Sequence, residues 1–108
     1  MAENATTGPT ERDPVKLAPD IYKVALENDR VRVLDIRMKP GDKSPEHSHP
    51  AYVMYAVSDA KVKFTDPDGT SEEVEVEAGQ TVWRDAETHA VENVGATEAH
   101  VLNIELRG

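Results

Sequence analysis

Apolar and acidic residues alternate without a break from Glu73 to Ala78: Val74, Val76 and Ala78 fall on one side of an extended chain, Glu73, Glu75 and Glu77 on the other. A period of two predicts an amphipathic strand with a solvated acidic face. Other runs rich in strand formers cover residues 21–27, 31–38, 52–57, 61–65, 81–84, 89–93 and 99–106. In the second run Val31 and Val33 share one face while Leu34, Ile36 and Met38 share the other, so the phase slips once and a bulge or bend is predicted near Val33. Turn residues separate the runs at Asn28-Asp29, Lys39-Pro40-Gly41-Asp42, Gly79-Gln80 and Val94-Gly95-Ala96-Thr97. Asp66-Pro67-Asp68-Gly69 offers a preset φ followed by a positive φ, the chemistry of a reverse turn that closes an antiparallel pair. No stretch carries helical periodicity. Short strands at short intervals predict an all-β sandwich or barrel.

The first twenty residues break this pattern. They hold three prolines and scattered charge, the composition of a loosely draped arm, so the chain divides into an arm at 1–20 and one folded domain at 21–108. A chain of 108 residues has room for one core, and with one Phe, one Trp and three Tyr that core is largely aliphatic. Twelve Lys and Arg against twenty-one Asp and Glu leave a net charge of −9, which disfavours nucleic acid and anionic lipid as partners. The sequence shows neither a membrane-length apolar run nor a signal core, and a cytoplasmic protein is expected. There is no cysteine, so a metal site would have to use imidazole, carboxylate or backbone oxygen.

Attention therefore turns to the four histidines. His47 and His49 stand at i and i+2, and on an extended backbone both project from one face toward a common point. The same pair beside Pro45 and Pro50 equally describes two solvated loop histidines. His89 follows the Gly79 turn, on a strand that an antiparallel barrel can bring opposite the pair. Glu46 has the opposite parity and is expected outside; His100 opens the last strand with the parity of Leu102 and Ile104 and reads as a strand-end histidine.

At these residues the chain resembles the cupin superfamily, whose first motif is glycine, five residues, His-x-His, three or four residues, glutamate. Gly41 through His47 and His49 match its opening without a gap. The glutamate position falls on Val53 or Met54, and the parity of the histidines favours Val53. The second motif appears as Gly79, with Asp85 and Glu87 in its Pro and Gly places, His89 one residue early and Asn93 on time. The resemblance spans residues 21–107 and implies a cupin-type double-stranded β-helix, a jelly-roll barrel. It also implies one divalent metal ion, Fe, Zn, Ni or Mn, held by His47, His49 and His89. Glu87 or water is left to fill the place of the missing motif glutamate, with Glu87 favoured as a solvated turn carboxylate.

If the first two histidines point inward, parity carried forward places Val53, Tyr55 and Val57 on the cavity wall. Trp83 shares the parity of His89 and is a candidate for the pocket, with core filling as its alternative; Arg84 is a candidate for the mouth, or a surface charge. Three neutral imidazoles leave an ion open positions, which suits dioxygenase-like chemistry on a small oxygen-bearing chelating substrate. The competing expectation is a non-catalytic module that binds a small ligand or the metal. Covering strand edges stabilises a domain this small, so a homodimer is expected.

Overall fold

The computed structural model describes residues 12–107. Among these residues nine strands form two antiparallel sheets: β1 (Tyr22–Glu27), β2 (Val31–Met38), β3 (Lys43–His49), β4 (Tyr52–Ala56), β5 (Ala60–Thr65), β6 (Ser71–Val76), β7 (Thr81–Arg84), β8 (Glu87–Asn93) and β9 (Ala99–Leu106). One sheet has the order β1-β2-β9-β4-β7 and the other β3-β8-β5-β6. From β2 onward the chain passes from sheet to sheet at nearly every turn, and only β1–β2 and β5–β6 are hairpins between sequence neighbours. This is the double-stranded β-helix that the resemblance implied. Among the described residues no helix is long and apolar enough to cross a membrane.

The Asp66–Gly69 turn closes the β5–β6 hairpin as its residues require: Gly69 donates its backbone N–H to Asp66 O at 2.9 Å and takes φ +89°, a conformation that favours glycine. In β6 the alternation holds, with Val76 buried and Glu73 and Glu75 outside. The inner faces meet in a core that includes Leu34, Ile36, Met38, Tyr52, Met54 and Phe64. Each such side chain stabilises the fold by about 1.5–3 kcal/mol through removal of apolar area from water.

The phase slip in residues 31–38 has a different origin from the expected bulge in that strand. β2 pairs with β9 in unbroken register from Val31↔Leu106 to Met38↔Ala99. The extra residue belongs to β1, where Val24 faces Leu34 but Leu26 faces Val33. Val31 and Val33 lie on the outer face of a regular strand. They do so because the outside of this sheet is itself apolar: Leu26, Val33, Ile104, Val53 and Trp83 are successive cross-strand neighbours, a row that traverses all five strands.

Residues 12–20, expected as part of the arm, are packed on the barrel. Pro14–Leu17 form a single helical turn (α1) with Asp13 as N-cap, whose Oδ1 accepts from the Val15 N–H at 2.9 Å, and with Pro14 buried at the first helical position. Arg32 on β2 donates to both Asp13 carboxylate oxygens, at 2.9 and 3.1 Å. The remainder of the expected arm, residues 1–11, lies outside the described residues.

Candidate metal centre

The site is built where β3 pairs with β8. Ser44 faces Val91 and His47 faces His89, so β3 spends three residues against two on β8, a bulge at Pro45–Glu46. The bulge resets the parity of β3, and Ser44, His47 and His49 all come to lie buried. Because His47 and His89 are direct cross-strand partners, their rings meet at 4.9 Å between centroids. The His49 ring lies 4.7 Å from that of His47 and 5.3 Å from that of His89. One nitrogen from each of the three falls within 4.8 Å of the others.

Hydrogen bonds prepare these rings as donors. His47 Nδ1 donates to Pro45 O at 2.8 Å and His49 Nδ1 to Glu105 Oε2 at 2.7 Å, which leaves Nε2 of each ring as the acceptor atom; that of His47 lies 3.4 Å from the Tyr22 hydroxyl. His89 Nδ1 lies 3.4 Å from Glu87 Oε1, out of line for a hydrogen bond, and is buried without a partner. Burial, with repulsion from His49, lowers the His47 pKa from 6.5 to about 3, and burial lowers that of His89. Three buried imidazoles that bring one nitrogen each to a common point are a donor set that fits one divalent ion.

That depression has a sign for stability. The folded state keeps His47 neutral where the unfolded chain binds a proton, so its contribution is present above pH 6.5 and is lost as pH falls toward 3. Metal-free protein is expected to lose a few kcal/mol, to order of magnitude, between pH 7 and pH 4. Urea denaturation at the two pH values measures it, and equal stabilities would contradict the neutral buried state.

Two carboxylates complete the surroundings. Glu105 on β9 is buried between His49 and Arg32, whose Nε donates to Glu105 Oε1 at 2.9 Å. No motif position in the sequence marks it. Glu87, expected as a solvated turn carboxylate, is instead the first residue of β8, directly across from His49 and mostly buried. Burial alone would raise its pKa, but His89, Arg84 and Tyr52 together hold it well below the ordinary carboxylate range. Tyr52 donates to Glu87 Oε2 at 2.6 Å and Arg84 donates to both oxygens, at 3.1 and 2.8 Å. Those bonds commit Glu87 to the wall behind His89, and it is not among the residues whose atoms cluster as ligands. Arg84 also lies over the Phe64 ring, which stacks on His89.

A cavity of about 40 Å³ opens beside the histidines, walled by Met38, Tyr52, Met54, Phe64 and Asn103 together with His49 and His89. At roughly 10–15 Å³ per water it has room for about three waters or a correspondingly small ligand. The expected pocket residues do not line it. Val53 is half-buried on the outer face, Tyr55 is 37% exposed and Trp83 is 54% exposed, its indole N–H bonded to Asp85. Parity is carried along a strand but not around the corner from β3 to β4, where the chain changes sheets through Pro50–Ala51. Tyr52, Met54 and Ala56 therefore face inward, and the motif position of the missing glutamate is Met54. Trp83 shares the parity of His89 yet sits on the other sheet. Glu46 is outside, bonded to Arg12, and His100 pairs with Asp35 away from the cluster.

The comparisons with known proteins follow this geometry. A cupin domain from Bordetella pertussis Tohama I is 28% identical, covers 82% of this chain and 93% of its own, and superposes with a TM-score of 0.74. A Klebsiella pneumoniae protein with a double-stranded β-helix domain is 19% identical over 94% of this chain and 79% of its own, with a TM-score of 0.66. The oxalate decarboxylase of Bacillus subtilis, which has Mn(II) centres, is 24% identical over 73% of this chain and 22% of its own, with a TM-score of 0.56. No curated protein matches the chain in sequence. The family model described as the cupin domain matches residues 34–105, a span that runs from β2 into the end of β9 and includes all three clustered histidines and Glu105. With sequence and architecture in agreement over that span, the chain belongs to the cupin family.

Proposed function

We propose that this cupin is a metal-dependent enzyme of dioxygenase-like type, in which His47, His49 and His89 hold one divalent ion and a small oxygen-bearing chelator is the substrate. The observation that carries the reading is the convergence of three buried imidazoles, two of them tied back through Nδ1 so that Nε2 turns toward the common point, where the Tyr22 hydroxyl lies 3.4 Å from His47 Nε2. A bound iron ion would supply dioxygen chemistry, whereas zinc, nickel or manganese would polarise a substrate oxygen. The chain's own part is to orient and to exclude. Glu105 fixes the His49 tautomer, Phe64 and Glu87 back the His89 ring, and the apolar wall of Met38, Met54 and Phe64 limits water beside the reacting atoms. Both carboxylates near the histidines are engaged by arginine, so neither is a free base in the cavity. That favours chemistry centred on the metal over proton transfer by a side chain.

The test begins with elemental analysis of untagged protein purified without a chelating resin, followed by oxygen-electrode assays of the iron-loaded form with small hydroxy acids and diketones. Near-stoichiometric metal with substrate-dependent oxygen uptake is the expected result. Tight ligand binding without uptake would make the protein a binding module, and failure to take up iron, zinc, nickel or manganese would overturn the metal reading.

The apolar row across the five-stranded sheet supports a homodimer joined through that face, since Leu26 and Trp83 at its two ends are more than half exposed. Light scattering at micromolar concentration is expected to give a dimer mass for the wild type and a monomer mass for Ile104→Lys, at the centre of the row. A wild-type monomer would rule the pairing out.

A further inference from the structure

Among the described residues two buried side-chain polar atoms lack a hydrogen-bond partner, His89 Nδ1 and Asn103 Oδ1, and both residues line the same cavity. The first lies 3.4 Å from Glu87 Oε1 and belongs to the candidate metal centre; the second does not. Asn103 is 4% exposed on β9, and its cross-strand neighbours are Leu34 on β2 and Met54 on β4, both apolar and buried. Neither can bond an amide. Asn93 shows what a structural asparagine looks like in this barrel: its amide nitrogen donates to Met38 O at 2.9 Å and Thr97 O at 3.0 Å, and its Oδ1 accepts from Gly95 N–H at 2.9 Å. Glu105, two residues along β9 on the same inward face, is likewise satisfied by Arg32 and His49. Leucine would present the same branching and number of non-hydrogen side-chain atoms as Asn103 with no desolvation cost, so a bare amide carbonyl here implies a partner that the folded chain does not provide.

We propose that Asn103 is the residue that selects the ligand of this cavity, its Oδ1 accepting a hydrogen bond from a hydroxyl or N–H that the ligand carries in addition to its metal-chelating oxygens. The chelating half of this statement rests on the proposed metal centre; the role of Asn103 rests on its own burial and missing partner. The ligand class is then a small polyhydroxy acid or hydroxy ketone with at least one donor beyond the chelating pair. An apolar chain at that point would leave the carbonyl desolvated and unpaired.

Glycerate and lactate separate the two contributions, because both present a carboxylate and a 2-hydroxyl and only glycerate adds a 3-hydroxyl. In titration calorimetry on zinc-loaded protein, the wild type is expected to bind glycerate about tenfold tighter than lactate. Asn103→Leu is expected to abolish or invert that preference while keeping the wild-type zinc content. Metal-free Asn103→Leu is expected to melt above the wild type, since an unpartnered amide is replaced by an apolar side chain. A preference that is absent in the wild type or unchanged in the variant overturns the proposal, as does a variant that melts several degrees lower, which would make Asn103 structural. If the wild type takes up no zinc, the metal centre fails separately, and the melting comparison on metal-free protein still decides whether Asn103 is structural.

Discussion

His89→Ala is expected to purify without metal under conditions where the wild type carries it. Among the described residues the three imidazoles are the whole donor cluster. Glu87 cannot step in without giving up its bonds to Arg84 and Tyr52. Loss of an outer partner such as a histidine-bound carboxylate typically costs about 10–100-fold in metal affinity, and loss of a ligand must exceed that. Glu105→Gln supplies the graded control: its amide oxygen can still accept from His49 Nδ1, so a loss within that 10–100-fold range is expected. Elemental analysis and competition with a chelator measure both. Near-stoichiometric metal in folded His89→Ala would mean that the ion, if any, sits elsewhere.

Much of this site is legible in the sequence because its geometry is local. His47-Ser48-His49 on an extended chain must share a side, and His89 is brought opposite by an antiparallel pairing that the turn residues around it already suggest. What is not legible depends on the corners and on pairing. Val53, Tyr55 and Trp83 have the parity of the histidines, but each is separated from them by a change of sheet that resets which side faces inward. The bulge at Pro45–Glu46 is marked only by its proline, which an edge strand tolerates with or without a bulge, yet it is what turns Ser44 inward along with His47. In β9 the signal was present and inverted. Leu102, Ile104 and Leu106 alternate with Val101, Asn103 and Glu105, and hydrophobicity alone assigns the leucines and isoleucine to the core. The structure buries Asn103 and Glu105 instead, because the inner face of a barrel with a polar centre needs them and the outer face carries the apolar row. A strand whose polar parity faces inward is itself a mark of a site, but only after the neighbouring strands are known. The packing of residues 12–20 is hidden in the sequence for a related reason. Asp13 looks like one more scattered charge until Arg32, nineteen residues on, is seen to bind it.

Arg32→Met is expected to destabilise the metal-free protein by about 3–5 kcal/mol, the usual consequence of removing one partner from a buried ion pair. Arg32 is 12% exposed and binds two carboxylates at once, Asp13 through NH1 and NH2 and Glu105 through Nε. Burial alone would raise the Asp13 pKa, yet its hydrogen bond with Arg32 holds it below the ordinary value, so the ionised pair is favoured in the fold. Without the guanidinium, two carboxylates remain in the same partly desolvated place with no counter-charge, and α1 loses its main polar tie to the barrel. The double variant Arg32→Met/Glu105→Gln, which removes the deeper carboxylate as well, should recover part of the loss; a cycle of urea unfolding free energies isolates the coupling. An effect below about 1 kcal/mol would show that the pair behaves as a solvated surface bridge. Arg32→Lys tests the geometry rather than the charge. One ammonium cannot reproduce a fork that reaches Glu105 with one edge and Asp13 with the other, so lysine should rescue little of the stability. Because Glu105 also holds the His49 ring, both Arg32 variants should weaken metal retention, by less than His89→Ala does, although Arg32 itself bonds only Asp13 and Glu105 and none of the three histidines.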